Sequence, residues 1–379
     1  MMRRRVLHII SGLDTGGAEM MLYKILAYSE NYDVDYLVIS IRKPGPIATK
    51  IRDLGFEVQT LNIGASFWHV CISLPLLISK TIRFRPDVIQ GWMYHGNLFA
   101  MISAFFFPKK VMLFWNVRQS LYDIKKEKLF TRLTIWICKI FSKMPARILY
   151  NSILSAQQHE KYGFFSNQRM IIFNGFEIEK FKRSQQTKVS IKRELNVNTK
   201  YIVGHIGRFH PKKDHKTMFL VAKKLLEELN DVTFIFVGRD ILPSNRVLAG
   251  YMDDSHMGET VKLLGERTDI ERILTAMDVL VSTSGWGEGF SNVIGEAMSA
   301  GVLCVATNVG DSKNIIGETG AIVRPHSIDQ ISMEVAKILH LSDEQRLTRG
   351  KEARRRIIEY YSIEKITKKY LTLYQVEEM

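Results

Sequence analysis

Short runs of Val, Ile and Leu alternate along most of the chain with longer stretches whose apolar residues recur at helical spacing. Near-continuous apolar runs bounded by turn residues predict strands buried on both faces, and the periodic stretches predict amphipathic helices between them. In the first half the strand-like runs are Arg5–Ile10, Val34–Ile41, Glu57–Leu61, Asp87–Gly91, Lys110–Trp115, Arg147–Tyr150 and Met170–Phe173. Helical patterns such as Gly17–Tyr28 and Gly45–Leu54 fill the gaps. The pattern restarts after Asn174-Gly175, with Tyr201–Ile206, Val232–Val237, Val261–Leu264, Val279–Ser282, Val302–Ala306 and Ala321–Val323. Such alternation predicts parallel sheets covered by helices on both faces. Between the two series lies Glu177–Lys200, polar and Lys-rich, which reads as a linker. The expectation is an α/β protein of two doubly wound domains in tandem, each binding ligands at the carboxyl ends of its strands. Two such sheets joined by a hinge would place those ends across a shared cleft.

The length of 379 residues suits two to three domains, and 46% hydrophobic residues with only 9 Pro supply two sizeable cores. Disorder and collagen-like repeats are excluded. Three scattered cysteines (Cys71, Cys138, Cys304) exclude a disulfide framework and a zinc site, and point to a reducing compartment. The apolar run Val6–Ile10 after Arg3–Arg5 is too short for a signal peptide. The longest apolar stretch, Ile63–Ser79, is broken by His69 and Pro75 and is shorter than the roughly 20 residues of a spanning helix. A soluble or membrane-surface protein is expected. The net charge of +14 is uneven: residues 1–174 hold 23 Lys+Arg against 11 Asp+Glu, and residues 175–379 hold 30 against 28. The first half therefore faces something anionic, with nucleic acid, phospholipid head groups and phosphorylated substrates all in view.

Three motifs fall in predicted strand-to-helix loops. Ser11-Gly12-Leu13-Asp14-Thr15-Gly16-Gly17-Ala18-Glu19 follows the first strand, where glycines let the backbone approach a ligand and a helix N-terminus offers N–H groups to an anion. It is neither a P-loop nor a dinucleotide fingerprint. Gly207-Arg208-Phe209-His210-Pro211-Lys212-Lys213-Asp214-His215 follows the first strand of the second half. Its cations suit a diphosphate, Arg as a planar fork and Lys as a point charge, with Asp214 as the N-cap of the next helix. In Gly285-Trp286-Gly287-Glu288-Gly289-Phe290-Ser291-Asn292-Val293-Ile294-Gly295-Glu296-Ala297-Met298, a glycine-rich turn opens a helix near Ser291. Glu288 and Glu296 stand about two helical turns apart, and would share a face if the helix reached Glu288. Carboxylates there can accept hydrogen bonds from sugar hydroxyls, and an apolar setting makes Glu296 require a partner.

The order Gly-Gly-Ala-Glu, Gly-Arg-Phe…Lys-Asp-His, Glu-Gly-Phe-Ser-Asn-Val…Glu-Ala-Met and Val-Ala-Thr-Asn-Val-Gly-Asp resembles glycosyltransferase family 4, nearly end to end. The resemblance implies the GT-B fold, two Rossmann-like domains facing each other across a cleft. The N-terminal one (1–174) would bind acceptor and the C-terminal one (175–361) the nucleotide-sugar, with a closing helix over about 362–379 packing back on the first. It implies a retaining hexosyltransferase of bacterial surface polysaccharide or lipopolysaccharide synthesis, with a nucleotide-sugar donor (a UDP-sugar expected). Carried over, Glu296 would hold the ribose hydroxyls and Glu288 the donor sugar. Gly289, Phe290, Ser291 and Asn292 would turn backbone toward the diphosphate, and Arg208 and Lys213 would neutralise it as the glycosidic bond breaks. Gly16 and Gly17 would approach the donor from across the cleft. No cofactor or metal is implied, the two cations taking the place of a divalent ion. One departure concerns the family's histidine after a mid-domain strand, whose place Arg118 takes in Leu113–Ser120. An arginine is no base at neutral pH, so Arg118, or His95 in Trp92–Asn97, is expected to position the sugar or the acceptor.

The acceptor side carries a further pattern. Lys125, Lys126, Lys128, Arg132, Lys139, Lys143 and Arg147 stand against the single acid Glu127, around Leu129, Leu133, Trp136, Ile140 and Met144 at helical spacing. That is either an interfacial helix on anionic lipid or an ordinary core face with a wet side. The first reading suits a lipid-linked saccharide acceptor and a cytoplasmic enzyme attached to the inner face of the cytoplasmic membrane. Competing readings are a nucleotide-sugar epimerase of similar fold and a basic membrane- or nucleic-acid-binding protein without catalysis. No nucleic-acid module is recognisable, so nucleic acid is not expected as a partner.

Overall fold

The computed structural model describes residues 3–63, 67–107, 111–253 and 257–375, with side chains described except over 67–72 and at 253. Part of the Ile63–Ser79 stretch and the expected strand start at Lys110 lie outside these residues. The chain forms two compact units, Met1–Gly175 with Ile363–Met379, and Phe176–Ser362.

In the first unit β1 (Arg4–Ile10), β2 (Val34–Ser40), β3 (Glu57–Thr60), β4 (Val88–Trp92), β5 (Met112–Val117), β6 (Arg147–Tyr150) and β7 (Arg169–Ile171) form one parallel sheet, ordered β3-β2-β1-β4-β5-β6-β7. Successive side chains of β1 go to opposite faces, as strand geometry requires. Val6 and Ile10 pack under the helices Gly17–Ala27, Pro46–Asp53 and Ile363–Leu373. Leu7 and Ile9 pack under Phe67–Phe84, Met93–Phe105 and Leu129–Ile140. Helix Met93–Phe105 lies so close to β1 that a Cβ on Gly96 would stand 2.5 Å from the Ile9 carbonyl oxygen, so only glycine fits there. The closing helix buries Ile363, Ile366, Tyr370 and Leu371 in this unit. Among the described residues no helix is long and apolar enough to cross a membrane.

In the second unit β8 (Tyr201–Ile206), β9 (Val232–Val237), β10 (Val261–Leu263), β11 (Val279–Ser282), β12 (Leu303–Thr307) and β13 (Ala321–Val323) form a parallel sheet ordered β10-β9-β8-β11-β12-β13. Glu177–Lys200 belongs to this unit and is not a linker. It contains the helix Gln185–Glu194, capped by Ser184, anchored by fully buried Ile191, and tied by a Lys188–Asp278 ion pair of 2.6 Å to the residue before β11. Its composition describes a solvated helix face, and a single apolar anchor is too weak a signal for helix periodicity. Strand β4 starts after Asp87, whose carboxylate accepts the Arg5 N–H at 3.0 Å.

Candidate active site

Both sheets reverse their strand order at one point, β1/β4 in the first unit and β8/β11 in the second. At such switch points loops diverge and leave room for a ligand at the carboxyl edge. The sequence motifs lie there. Gly16 and Gly17 follow β1, His95 follows β4, Arg208 and Lys213 follow β8, and Glu288 to Glu296 follow β11.

In the second unit two loops are pinned to each other. The Thr283 hydroxyl donates to the carbonyls of Lys213 (2.9 Å) and Asp214 (3.0 Å), and the Gly285 N–H donates to the Lys212 carbonyl (2.9 Å). The Lys213 ammonium pairs with Glu288 at 2.8 Å, and the Ser284 hydroxyl donates to the same carboxylate at 3.3 Å. Burial disfavours the ionised Glu288 carboxylate, but Lys213, Lys212 and the Ser284 hydroxyl together hold it below the usual range. Glu288 is therefore a fixed anion at neutral pH, with both lysines drawn to it. Lys212 is half-buried, and burial lowers its pKa despite Glu288. Arg208 is exposed, with no carboxylate within ion-pair distance among the described residues.

The helix after the turn spans Asn292–Ser299, with Ser291 as its N-cap. It does not reach Glu288, so the two glutamates share no helix face: the Gly-rich turn keeps Glu288 on the loop. The Phe290 ring is buried and stacks on Phe176 (centroids 6.0 Å apart), which fixes the loop from below. Ser291 is buried, and its hydroxyl finds no hydrogen-bond partner at this helix start. Glu296 is half-exposed, next to buried Gly295, Ala297 and Met298. A third loop, after β12, closes on the first two. The Asp311 N–H donates to the Gly289 carbonyl at 2.9 Å, and Gly310, at φ +63, lies where a Cβ would meet the Glu288 and Gly289 carbonyls within 3 Å. Asp214 caps the helix His215–Glu228 as its spacing predicts, accepting from the Thr217 N–H at 3.3 Å. His326 Nδ1 stands 2.6 Å from the same carboxylate.

In the first unit Gly16 is the N-cap of Gly17–Ala27. The Glu19 carboxyl folds back toward it, its pKa raised first by burial and then by neighbouring Asp14. His95 is half-buried on the first turn of Met93–Phe105, and burial together with the Arg42 charge lowers its pKa. One cation, Arg42, thus acts on both Glu19 and His95. Arg118 is buried and bonded within its own unit. Its guanidinium donates to Asn174 Oδ1, to the Tyr370 hydroxyl (2.9 Å) and to Asn116 Oδ1 (3.3 Å), and lies 5.6 Å from the Trp92 ring centroid. It ties β5 to the end of the unit's first segment and to the closing helix.

Lys212, Ser284, Thr283, His326 and Arg42 were not singled out by sequence. Lys212 lies inside a motif but is masked by its neighbour. The others act through contacts between distant loops, for which no local signal exists. The sequence does hold an Asp-x-Asp triplet, Asp33-Val34-Asp35, the pattern that often marks a metal-dependent sugar-nucleotide site. Both its carboxylates bond exposed Arg3 (2.9 and 3.4 Å) at the amino end of β2, away from the ligand edge.

Tandem parallel sheets, each with a strand-order switch point, have the architecture of the GT-B fold. Residues 187–360, a little under half of the chain, match the family model described as glycosyl transferases group 1, and the protein is a glycosyltransferase. Over 356 residues it is 28% identical to the UDP-Gal:alpha-D-GlcNAc-diphosphoundecaprenol alpha-1,3-galactosyltransferase of Escherichia coli, covering 91% of this chain and 89% of that one. It is also 28% identical over 210 residues to the poly(ribitol-phosphate) alpha-N-acetylglucosaminyltransferase of Staphylococcus aureus, covering 55% of this chain and 42% of that one. Among solved structures, Anabaena HepE in complex with UDP superposes with a TM-score of 0.82 at 21% identity, covering 98% of this chain and 99% of the other. A glycosyltransferase from Rickettsia africae superposes at 0.85 and 15% identity, with 98% of both chains covered. These similarities carry the fold.

Proposed function

We propose that this enzyme transfers a hexose, with retention at the anomeric carbon, from a UDP-sugar to a lipid-linked saccharide in bacterial surface polysaccharide or lipopolysaccharide synthesis. The observation that carries the donor site is the Lys213–Glu288 pair of 2.8 Å beside the start of the Asn292–Ser299 helix. An ammonium has three donors, so Lys213 can keep Glu288 in place and still meet a diphosphate oxygen. Arg208 adds a second charge, and the backbone of Gly289 to Asn292 with the unpartnered Ser291 hydroxyl supplies neutral donors. Glu288 is left to accept from sugar hydroxyls, and Glu296 from the ribose.

With cations and N–H groups on the leaving diphosphate, no metal is needed to stabilise its developing charge. In this mechanism the departing phosphate oxygen takes the proton of the incoming hydroxyl on the face it vacates. Front-face attack retains configuration and asks the protein only to hold the two partners in line. The acceptor class is supported by the end-to-end likeness to a transferase named for a diphosphoundecaprenol acceptor. It goes with attachment to the inner face of the cytoplasmic membrane through the basic first unit.

The test is incubation of the purified protein with a panel of UDP-sugars and a short-chain polyprenyl-diphosphate sugar, in buffer containing excess EDTA. A disaccharide product with the donor's anomeric configuration by NMR is the expected result. An inverted linkage would refute the retaining mechanism, and activity lost to EDTA and restored by magnesium would refute metal independence.

A further inference from the structure

Helix Leu129–Ile140 turns Thr134, Ile135 and Cys138 inward, beneath the same layer as Phe99 and Ala100 of the neighbouring helix. Its other large apolar residues, half-buried Ile137 apart, go the other way. Leu129, Phe130, Leu133, Trp136, Ile140, Phe141 and Met144 are 42–76% exposed. Positions 129, 133, 136 and 140 form a helical stripe of their own, with Phe141 and Met144 just past the helix end. The helix therefore has two apolar faces, and the core uses only one. The neighbouring helices of this layer add exposed Leu76, Ile82, Phe105 and Phe106. On the opposite layer of the same sheet, the exposed large apolar residues among those described are Tyr28 and Leu54, each just past a helix end.

Charge identifies the occupant. Lys125, Lys126, Lys128, Arg132, Lys143 and Arg147 are exposed around the stripe, and Glu127 is the only acid from Lys125 to Arg147. A second copy docking symmetrically would set these cations against their own counterparts. A surface that is apolar below and anionic throughout satisfies stripe and flanks together. We propose that this outer face of the first unit docks on anionic phospholipid, with helix Leu129–Ile140 lying in the head-group plane. The proposal deepens the lipid-linked acceptor reading and rests on it for its purpose, but its test needs neither donor nor acceptor.

The full chain is sedimented with vesicles of phosphatidylglycerol and phosphatidylethanolamine in equal parts, and with phosphatidylcholine alone. Binding at least about tenfold stronger to the anionic vesicles, weakening as salt rises, is expected. Phe130→Ser with Trp136→Ser should lower that binding by about tenfold or more. Lys126→Gln, Lys128→Gln and Arg132→Gln should each lower it about fivefold. All five side chains are exposed, so thermal unfolding should not change, and neither should transfer to a short, water-soluble acceptor. Vesicle binding absent from the unmodified protein, or unchanged in the Phe130/Trp136 variant, would overturn the proposal. So would a dimer in light scattering that dissociates in that variant, because the face would then be a self-interface. Vesicle binding with no transfer to any lipid-linked sugar supports the surface and removes the acceptor reading alone.

Discussion

At the β8/β11 edge the second unit gathers Arg208, Lys212, Lys213 and Glu288, and three loops bond one another through Thr283, Gly285 and Asp311. At the matching β1/β4 edge the first unit offers two glycines, a half-buried histidine of lowered pKa, and Arg42 beside Glu19. The topology is shared, but among the described residues only the second unit has a prearranged ion pair at its switch point. The first keeps its strong polar contacts elsewhere: Arg118 is spent on Asn174 and Tyr370, and most of its cations lie outside the core. Stabilising a developing charge requires fixed groups, and the second unit's edge is the one that holds them.

The largest effect should therefore come from the second unit. Lys213→Ala removes a preorganised charge and leaves Glu288 without its ion-pair partner, so turnover should fall by about 10²–10³-fold. Steady-state kinetics with saturating donor reads this directly. A loss below tenfold would mean that the pair is structural, and the contrast between the two edges would disappear.

Arg118→Ala probes the first unit's internal tie. It strips hydrogen bonds from the buried Asn174 and Tyr370 oxygens, and should cost about 2–3 kcal/mol of stability. UDP affinity, measured by calorimetry, should remain unchanged, because the proposed nucleotide loops belong to the second unit and Arg118 bonds within the first. An Arg118→Ala protein that is fully stable but cannot transfer would return Arg118 to the acceptor site.

Arg118 also shows what a sequence can and cannot disclose here. The strands were legible because most of the thirteen among the described residues are apolar runs, and the loops were legible because their glycines and charges sit directly after those runs. Arg118 lies in such a loop, so local position assigns it to the ligand edge. Its orientation is decided by Asn174 and Tyr370, 56 and 252 residues away. Asp214 is similar: its cap was readable from Thr217 three residues on, whereas its contact with His326 spans 112 residues. The Glu177–Lys200 stretch fails for a different reason, since composition cannot separate a solvated helix with one buried anchor from a linker.

Acid should weaken the first unit through His159, which is buried against Tyr94 and held neutral with a pKa of about 4. The unfolded chain takes up its proton near the ordinary value of about 6.5. Between those values the unfolded state binds more protons, so stability is full above about pH 6.5 and falls as pH drops toward 4. At pH 5 the loss from this one group is about 2 kcal/mol. Urea titrations at pH 7 and 5 should show this difference in the unmodified protein, and a smaller one in His159→Leu. Equal pH dependence in both would assign the acid sensitivity to other groups.

The smallest effect is expected at the first unit's own ligand edge. Asp14 is exposed in the turn before Gly16, and nothing buries or aims its carboxylate as a nucleophile requires. His95 has a pKa lowered by burial and by Arg42, so at neutral pH it is an uncharged ring, able to donate or accept one hydrogen bond. If the leaving diphosphate accepts the acceptor's proton, neither group carries the chemical step. Asp14→Asn should then leave turnover near that of the unmodified enzyme. His95→Ala should raise KM for the acceptor or donor sugar and lower turnover by less than about 10²-fold, the scale of lost positioning. The ratio of His95→Ala to unmodified turnover should also stay level between pH 7 and 8, where His95 is already neutral. A loss of more than about 10⁴-fold from either substitution is the scale of a deleted general base or nucleophile. It would move the chemistry from the fixed charges of the second unit to the first, reversing the division of labour between the two edges.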